Sequence, residues 1–121
     1  MIQKKYLQLS FFLMAISVGL GAIGAHAFEK ILTAKQLATY QTGLKYLTYH
    51  ALSLLLISSN ALLFNQLKWT KRFFMIGIVF FTGNCLAYSL TGVKTFAMLI
   101  PIGGFSFILA WTFAIFEINK D

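Results

Sequence analysis

The sequence predicts an all-α membrane protein: four transmembrane helices in an antiparallel bundle, with one interfacial helix between spans one and two. Composition is the first reason. Of the 121 residues, 59% are hydrophobic and 11% charged, whereas ordinary soluble domains hold roughly 45–50% apolar and 25% charged residues. Such a chain cannot cover a water-soluble surface. The second reason is that the apolar residues gather into four runs, 7–28, 46–67, 73–90 and 96–118, each at or near the roughly 20 residues that a helix needs to cross a hydrocarbon core. The third is that a backbone in lipid must satisfy its own hydrogen bonds, and the alternating segments of a membrane β-barrel do not occur. Residues 1–121 are read as one four-span membrane domain.

The first run raises a question of its own. Residues 21–30 read GAIGAHAFEK, and Ala25-His26-Ala27, after Lys4, Lys5 and a long apolar stretch, has the small-x-small form of a secretory cleavage site. Leader cores are shorter than 7–28, however, and the run carries small residues spaced for helix packing. It is read as a retained span.

The links between runs set the topology. Lys68-Trp69-Thr70-Lys71-Arg72 and Thr91-Gly92-Val93-Lys94-Thr95 are short turns, which makes the flanking spans antiparallel hairpins. Only the first link is long. Within it, Thr33 and Gln36 fit a capping box, and Leu37, Tyr40, Leu44 and Leu47 recur at helical spacing. That pattern predicts the interfacial helix, with Gly43 as a hinge or a site of close packing. With four spans, Lys4, Lys5, Lys68, Lys71, Arg72 and Lys120 share one side and Lys30, Lys35, Lys45 and Lys94 the other. The excess places both termini in the cytoplasm of a bacterial plasma membrane.

The formal charge of +7 is read as complementing anionic lipid headgroups rather than nucleic acid. The lone Cys85 excludes an intrachain disulfide. Ser17, Gly21 and Ala25 lie four apart and permit close helix approach, as do Ala15 and Gly19. Pro101, Gly103 and Gly104 mark a break or kink in span four, and Asn60 and Asn84 are polar enough to bond between helices.

Histidines carry the chemical lead. His26 lies near the end of the first run and His50 near the start of the second, so antiparallel spans bring both to one membrane face. Glu29 is three residues from His26 and Tyr46 four from His50, spacings that share a helical face. A polar cluster of His26, Glu29, Tyr46, Tyr49 and His50 is the candidate site. Structural anchoring at the headgroups is its first reading, and proton handling or ligation of a metal or haem the alternative.

Two blocks, Gly21-Ala22-Ile23-Gly24-Ala25-His26-Ala27-Phe28 and the stretch of residues 40–52, YQTGLKYLTYHAL, resemble the YgdD/YwdK-like family of small multi-span bacterial membrane proteins. The resemblance continues through Phe81-Thr82-Gly83, Leu86-Ala87-Tyr88, Thr91-Gly92, Pro101-Ile102-Gly103-Gly104 and Trp111. That family is classed as domain of unknown function 423. The resemblance implies an intact plasma-membrane protein and no established activity.

No nucleophile-base-acid set, phosphate loop, HExxH motif or paired carboxylate occurs. The expectation is a non-enzymatic accessory or structural component without a cofactor, partnered by lipid and by another membrane protein or further copies of itself. The alternative is a small transporter, channel or redox component using His26 and His50 as proton carriers or as metal or haem ligands. Intact-mass measurement of the protein isolated from membranes tests the retained span. The expected mass includes residues 1–27; their loss would remove His26 and the first span together.

Overall fold

The computed structural model describes residues 1–118, and Lys120 and Asp121 lie outside the described residues. Helix α1 runs Ile2–His26 and is followed by a 3-10 turn, Phe28–Lys30. Helix α2 is Ala34–Ser58, α3 the short Ala61–Gln66, and α4 Lys68–Gly77. A π-helical turn, Ile78–Thr82, joins α4 to α5, Gly83–Thr91, and α6 is Lys94–Glu117. Regular structure among the described residues is entirely helical. By length and composition, three helices suffice to cross a membrane: Ile2–His26, the composite Lys68–Thr91, and Lys94–Glu117.

Helix α2 departs most from expectation. The uncharged run 46–67 predicts a span there, yet the helix begins at Ala34 and ends at Ser58. Its start is the foreseen capping box: Thr33 Oγ1 accepts from the Gln36 amide at 3.1 Å, and Gln36 Oε1 accepts from the Thr33 amide at 3.0 Å. From there one helix continues through Gly43 without a hinge, so the expected interfacial segment and the span are a single element. Its end comes at Ser58-Ser59-Asn60. Asn60 adopts extended backbone and its side chain accepts from the Leu63 amide at 3.1 Å, which starts α3. Asn60 is therefore a helix cap rather than a bond between spans.

Against α2 lies α1, antiparallel, along a seam of small residues. Ser10, Ser17 and Gly24 are its buried positions, a spacing of seven that keeps one stripe facing a partner when helices wind left-handedly about each other. Ser17 bonds Thr48, the Tyr40 hydroxyl donates to the Leu20 carbonyl, and Gly24 makes room for the Tyr40 ring. The expected ridge of Ser17, Gly21 and Ala25 is thus used only at Ser17. Gly19 and Gly21 face open space, and Ala25 is exposed.

The second hairpin packs more closely still. Gly92, at φ 74°, closes α5 in the left-handed conformation that glycine tolerates best, its amide bonding the Tyr88 carbonyl at 2.7 Å. Helix α6 then returns along α4 with Gly103 directly against the backbone of Phe80 and Phe81 in the π turn. Ser106 Oγ donates to the Phe73 carbonyl at 2.8 Å and fastens the same pair. Pro101 takes the amide donor from residue 97, but α6 is continuous through it. Asn84 stays local, its amide donating to the Phe80 carbonyl at 2.6 Å across the π turn.

A Cβ at Gly103 would collide with backbone, whereas one at Gly21 would meet nothing within 4 Å. Gly103→Ala should therefore lower stability by about 1–3 kcal/mol, as overpacking does. Gly21→Ala should change it by no more than about 0.5 kcal/mol. Thermal unfolding in detergent checks both.

Candidate functional site

His50 sits past the middle of α2 on the face turned toward α4 and α6, and it is 3% exposed. Its position follows from where α2 begins: with sixteen helical residues ahead of it from Ala34, it lies well inside the bundle rather than at an end of the helix. The ring is held on every side. Phe107 stacks on it at 3.5 Å between centroids, and Phe74 meets it edge-on at 5.1 Å. Gly77 enables the stacking, because its missing side chain is the space that the Phe107 ring occupies.

Hydrogen bonding determines the ring's protonation. His50 Nδ1 lies 2.7 Å from the Tyr46 carbonyl, and the Trp111 indole N–H donates to Nε2 at 3.1 Å. A carbonyl only accepts and an indole only donates. The consistent state is a neutral imidazole with the proton on Nδ1 and both nitrogens engaged. Beside the ring a groove of about 430 Å³ opens between α2, the π turn and α6, lined by Thr42, Tyr46, Phe81, Gly104, Ile108 and Trp111 among others. Its walls are mostly apolar.

The candidate cluster read from the sequence is divided. Tyr46 stacks near His50 at 6.3 Å and meets Tyr49 edge-on at 5.6 Å, so three of the five residues adjoin on α2. His26, at the end of α1, and Glu29, in the 3-10 turn, are both exposed and lie elsewhere. The Gly24–Tyr40 contact sets His26 level with residue 38 or so of α2. That is roughly 18 Å along the axis from His50, at 1.5 Å per residue. The two histidines therefore do not share a depth. Taking Tyr46 as the start of an element placed His50 near its end, whereas the helix begins twelve residues earlier at Ala34.

Other pairings escape the sequence. Glu117, at the end of α6, accepts from the Trp69 amide at 2.8 Å, the Thr70 amide at 2.9 Å and the Thr70 hydroxyl at 2.7 Å. Leu67 provides α4 with no side-chain cap, so the carboxylate from a distant helix satisfies its free amides and faces its positive end. Lys71 is 6% exposed; its ammonium donates to the Phe64 carbonyl and lies 3.4 Å from the Phe64 ring centroid. The only sequence signal for Glu117 was an acid at the edge of an apolar run. Trp111 was visible as part of the resemblance, but not as the partner of His50.

Trp111→Phe keeps an aromatic wall but leaves Nε2 unpaired, and should cost about 1–3 kcal/mol of stability, whereas His26→Gln should be close to neutral. Thermal unfolding separates them. Paired cysteines at Ser17 and Thr48 should crosslink in membranes, and paired cysteines at His26 and His50 should not.

Comparison with known proteins places the chain. A family model described as "Protein of unknown function (DUF423)" matches residues 20–104. A UPF0382 membrane protein of Staphylococcus saprophyticus is 38% identical over 98 residues, 79% of this chain and 81% of that protein. One from Staphylococcus haemolyticus is 34% identical over 107 residues, 87% of each chain. The UPF0382 inner membrane protein YgdD of Escherichia coli K12 is 33% identical over 98 residues, 79% of this chain and 75% of the relative. No solved structure matches. With the family model covering most of its length and relatives aligned along more than three quarters of it, the chain belongs to the DUF423 family of membrane proteins.

Proposed function

We propose that the chain is a four-span, non-enzymatic bundle of the bacterial plasma membrane, an accessory or interaction component that holds no cofactor. The observation that carries this reading is the closure of His50. With Nδ1 on the Tyr46 carbonyl and Nε2 under the Trp111 indole, the one buried histidine offers no free lone pair to a metal or haem and no acceptor to a travelling proton. Its role in this reading is to tie α2 to α6.

The fourth span is α2. Its 25 residues amount to about 37 Å, more than the about 30 Å of a hydrocarbon core. Lys35, Gln36, Gln41 and Lys45 make it less apolar than the other three helices, but its core face packs on α1 and the composite helix and reaches α6 through the His50–Phe107 stack and the Trp111 bond. The first turns of α2, around Lys35 and Gln36, occupy the headgroup region and take the place of a separate interfacial helix.

Orientation follows from the ends of the bundle. Gln3 donates to the Ser58 carbonyl at 3.0 Å, Tyr6 meets Phe64 at 5.5 Å, and Glu117 reaches Trp69 and Thr70, so the N-terminus, α3 and the α4 start share one end. That end carries Lys4, Lys5, Lys68, Lys71 and Arg72, while Lys30, Lys35 and Lys94 belong to the other. Both termini are cytoplasmic in this reading. Lys68, Lys71 and Arg72 line a cavity of about 360 Å³ there with Tyr6 and Phe64, and we assign it to anionic lipid headgroups.

Reporter fusions at the C-terminus and in the link at residues 31–33 should give opposite signals, the C-terminal one cytoplasmic. Matching signals would remove α2 as a span; opposite signals of reversed sense would invert the orientation and leave the span count standing.

A further inference from the structure

We propose that the outer face of α2 around Lys45 docks a transmembrane helix of another protein, one that presents a carboxylate near the middle of its span. The proposal rests on α2 being the fourth span. Depth is the first element of the argument. The Ser17–Thr48 bond sets Lys45 level with residue 20 or so of α1, the Gly43–Cys85 contact sets it level with about residue 83, and the ring stack of His50 on Phe107 beside Trp111 sets it level with about residue 104 of α6. The uncharged stretches of those helices, 7–28, 73–93 and 95–116, are centred within a few residues of these levels. Lys45 therefore lies close to the bilayer midplane. Headgroups are about 15 Å away in either direction, beyond the reach of a four-methylene stem.

Pairing is the second element. Lys45 is exposed, and it makes no hydrogen bond or ion pair with any described residue. An ammonium at this depth needs a partner or water. Gln41 and Tyr49, one turn to either side, are exposed on the same face and extend it into a polar stripe. The third element identifies the occupant by charge. Of the acids among the described residues, Glu29 lies in the end turn and Glu117 is committed to the amides of α4. Among the described residues a second copy thus brings no carboxylate to the level of Lys45, and two-fold contact there would oppose lysine to lysine. A foreign helix with a mid-span Asp or Glu supplies what is missing.

The test reconstitutes the full chain in phosphatidylcholine vesicles with a synthetic leucine-rich transmembrane peptide bearing one Asp at its centre, and reads association by energy transfer. The expected result is association about tenfold stronger than that of an all-leucine peptide, the factor that a good interhelical polar contact contributes in lipid. Lys45→Leu should lose the preference and Lys45→Arg should keep it. Crosslinking of paired cysteines at Ser17 and Thr48 verifies that each variant is folded. Equal association of the two peptides with the unaltered chain overturns the proposal, as does a preference that survives Lys45→Leu. Self-association abolished by Lys45→Leu, without peptide preference, overturns it in favour of a second copy. Cysteines at Gln36 and Ser59 separate the two levels of the argument: impermeant maleimide should reach them from opposite sides. Labelling of both from one side sinks the fourth span and the docking face together, whereas opposite labelling with no peptide preference sinks the docking face alone.

Discussion

Lipid donates and accepts no hydrogen bonds at mid-bilayer depth, so each polar group that the bundle encloses has to be answered by the protein itself. Much of the packing follows from that constraint. Ser10, Thr48, Ser89 and Thr91 return their hydroxyls to carbonyls one turn back in their own helices. Thr39, Ser53 and Thr112 do the same, Ser58 Oγ is buried without a partner among the described residues, and other bonds cross between elements. Ser17 with Thr48 and Tyr40 with Leu20 join α1 to α2, Thr82 with the Gly43 carbonyl joins the π turn to α2, and Trp111 with His50 joins α6 to α2. Most of these bonds end on α2. The least apolar of the four long helices, Lys68–Thr91 counted as one, thereby becomes the hub.

This arrangement bears on what His50 can do. An individual hydrogen bond between membrane helices contributes only about 0.6 kcal/mol on average, because an unfolded chain in the bilayer also finds partners. Leaving one partner buried and unpaired costs more, about 1–3 kcal/mol. The imidazole is therefore held less by the strength of its bonds than by the penalty for breaking one. Any ligand or proton-carrier role would have to displace the Trp111 indole and unstack Phe107 first. With α2 read as the proposed fourth span, Lys45 is the converse case, an exposed polar group with no partner within the described chain. A lysine at a helix centre costs roughly 2.5–3.5 kcal/mol to insert, and that cost is what a complementary helix would relieve.

Much of the architecture was legible from apolar run lengths, since crossing a bilayer imposes a minimum that no soluble helix has to meet. The Thr33–Gln36 cap and the Gly92 turn were legible for a similar reason: each is a local demand that few residue types satisfy. The extent of α2 was not. Treating Lys45 as the edge of an apolar run split one helix into an interfacial segment and a separate span, and brought His50 near the start of the second. Charge is a poor boundary marker for a helix whose core face is covered by its neighbours. The seam of Ser10, Ser17 and Gly24 was hidden by a competing spacing of four in the same glycine-rich stretch. The bond from Trp111 and the capping by Glu117 join residues 61 and 47 positions apart, and no single sequence encodes such pairings in its periodicity.

The central claim is that His50 is a neutral, doubly bonded structural node. Nitrogen NMR of the imidazole-labelled protein in lipid bilayers reads it most directly. The account predicts a single species with the proton on Nδ1 and a bare, hydrogen-bond-accepting Nε2, and it predicts that Trp111→Phe perturbs the Nε2 signal selectively. A proton on Nε2, or a charged imidazolium at neutral pH, would contradict it.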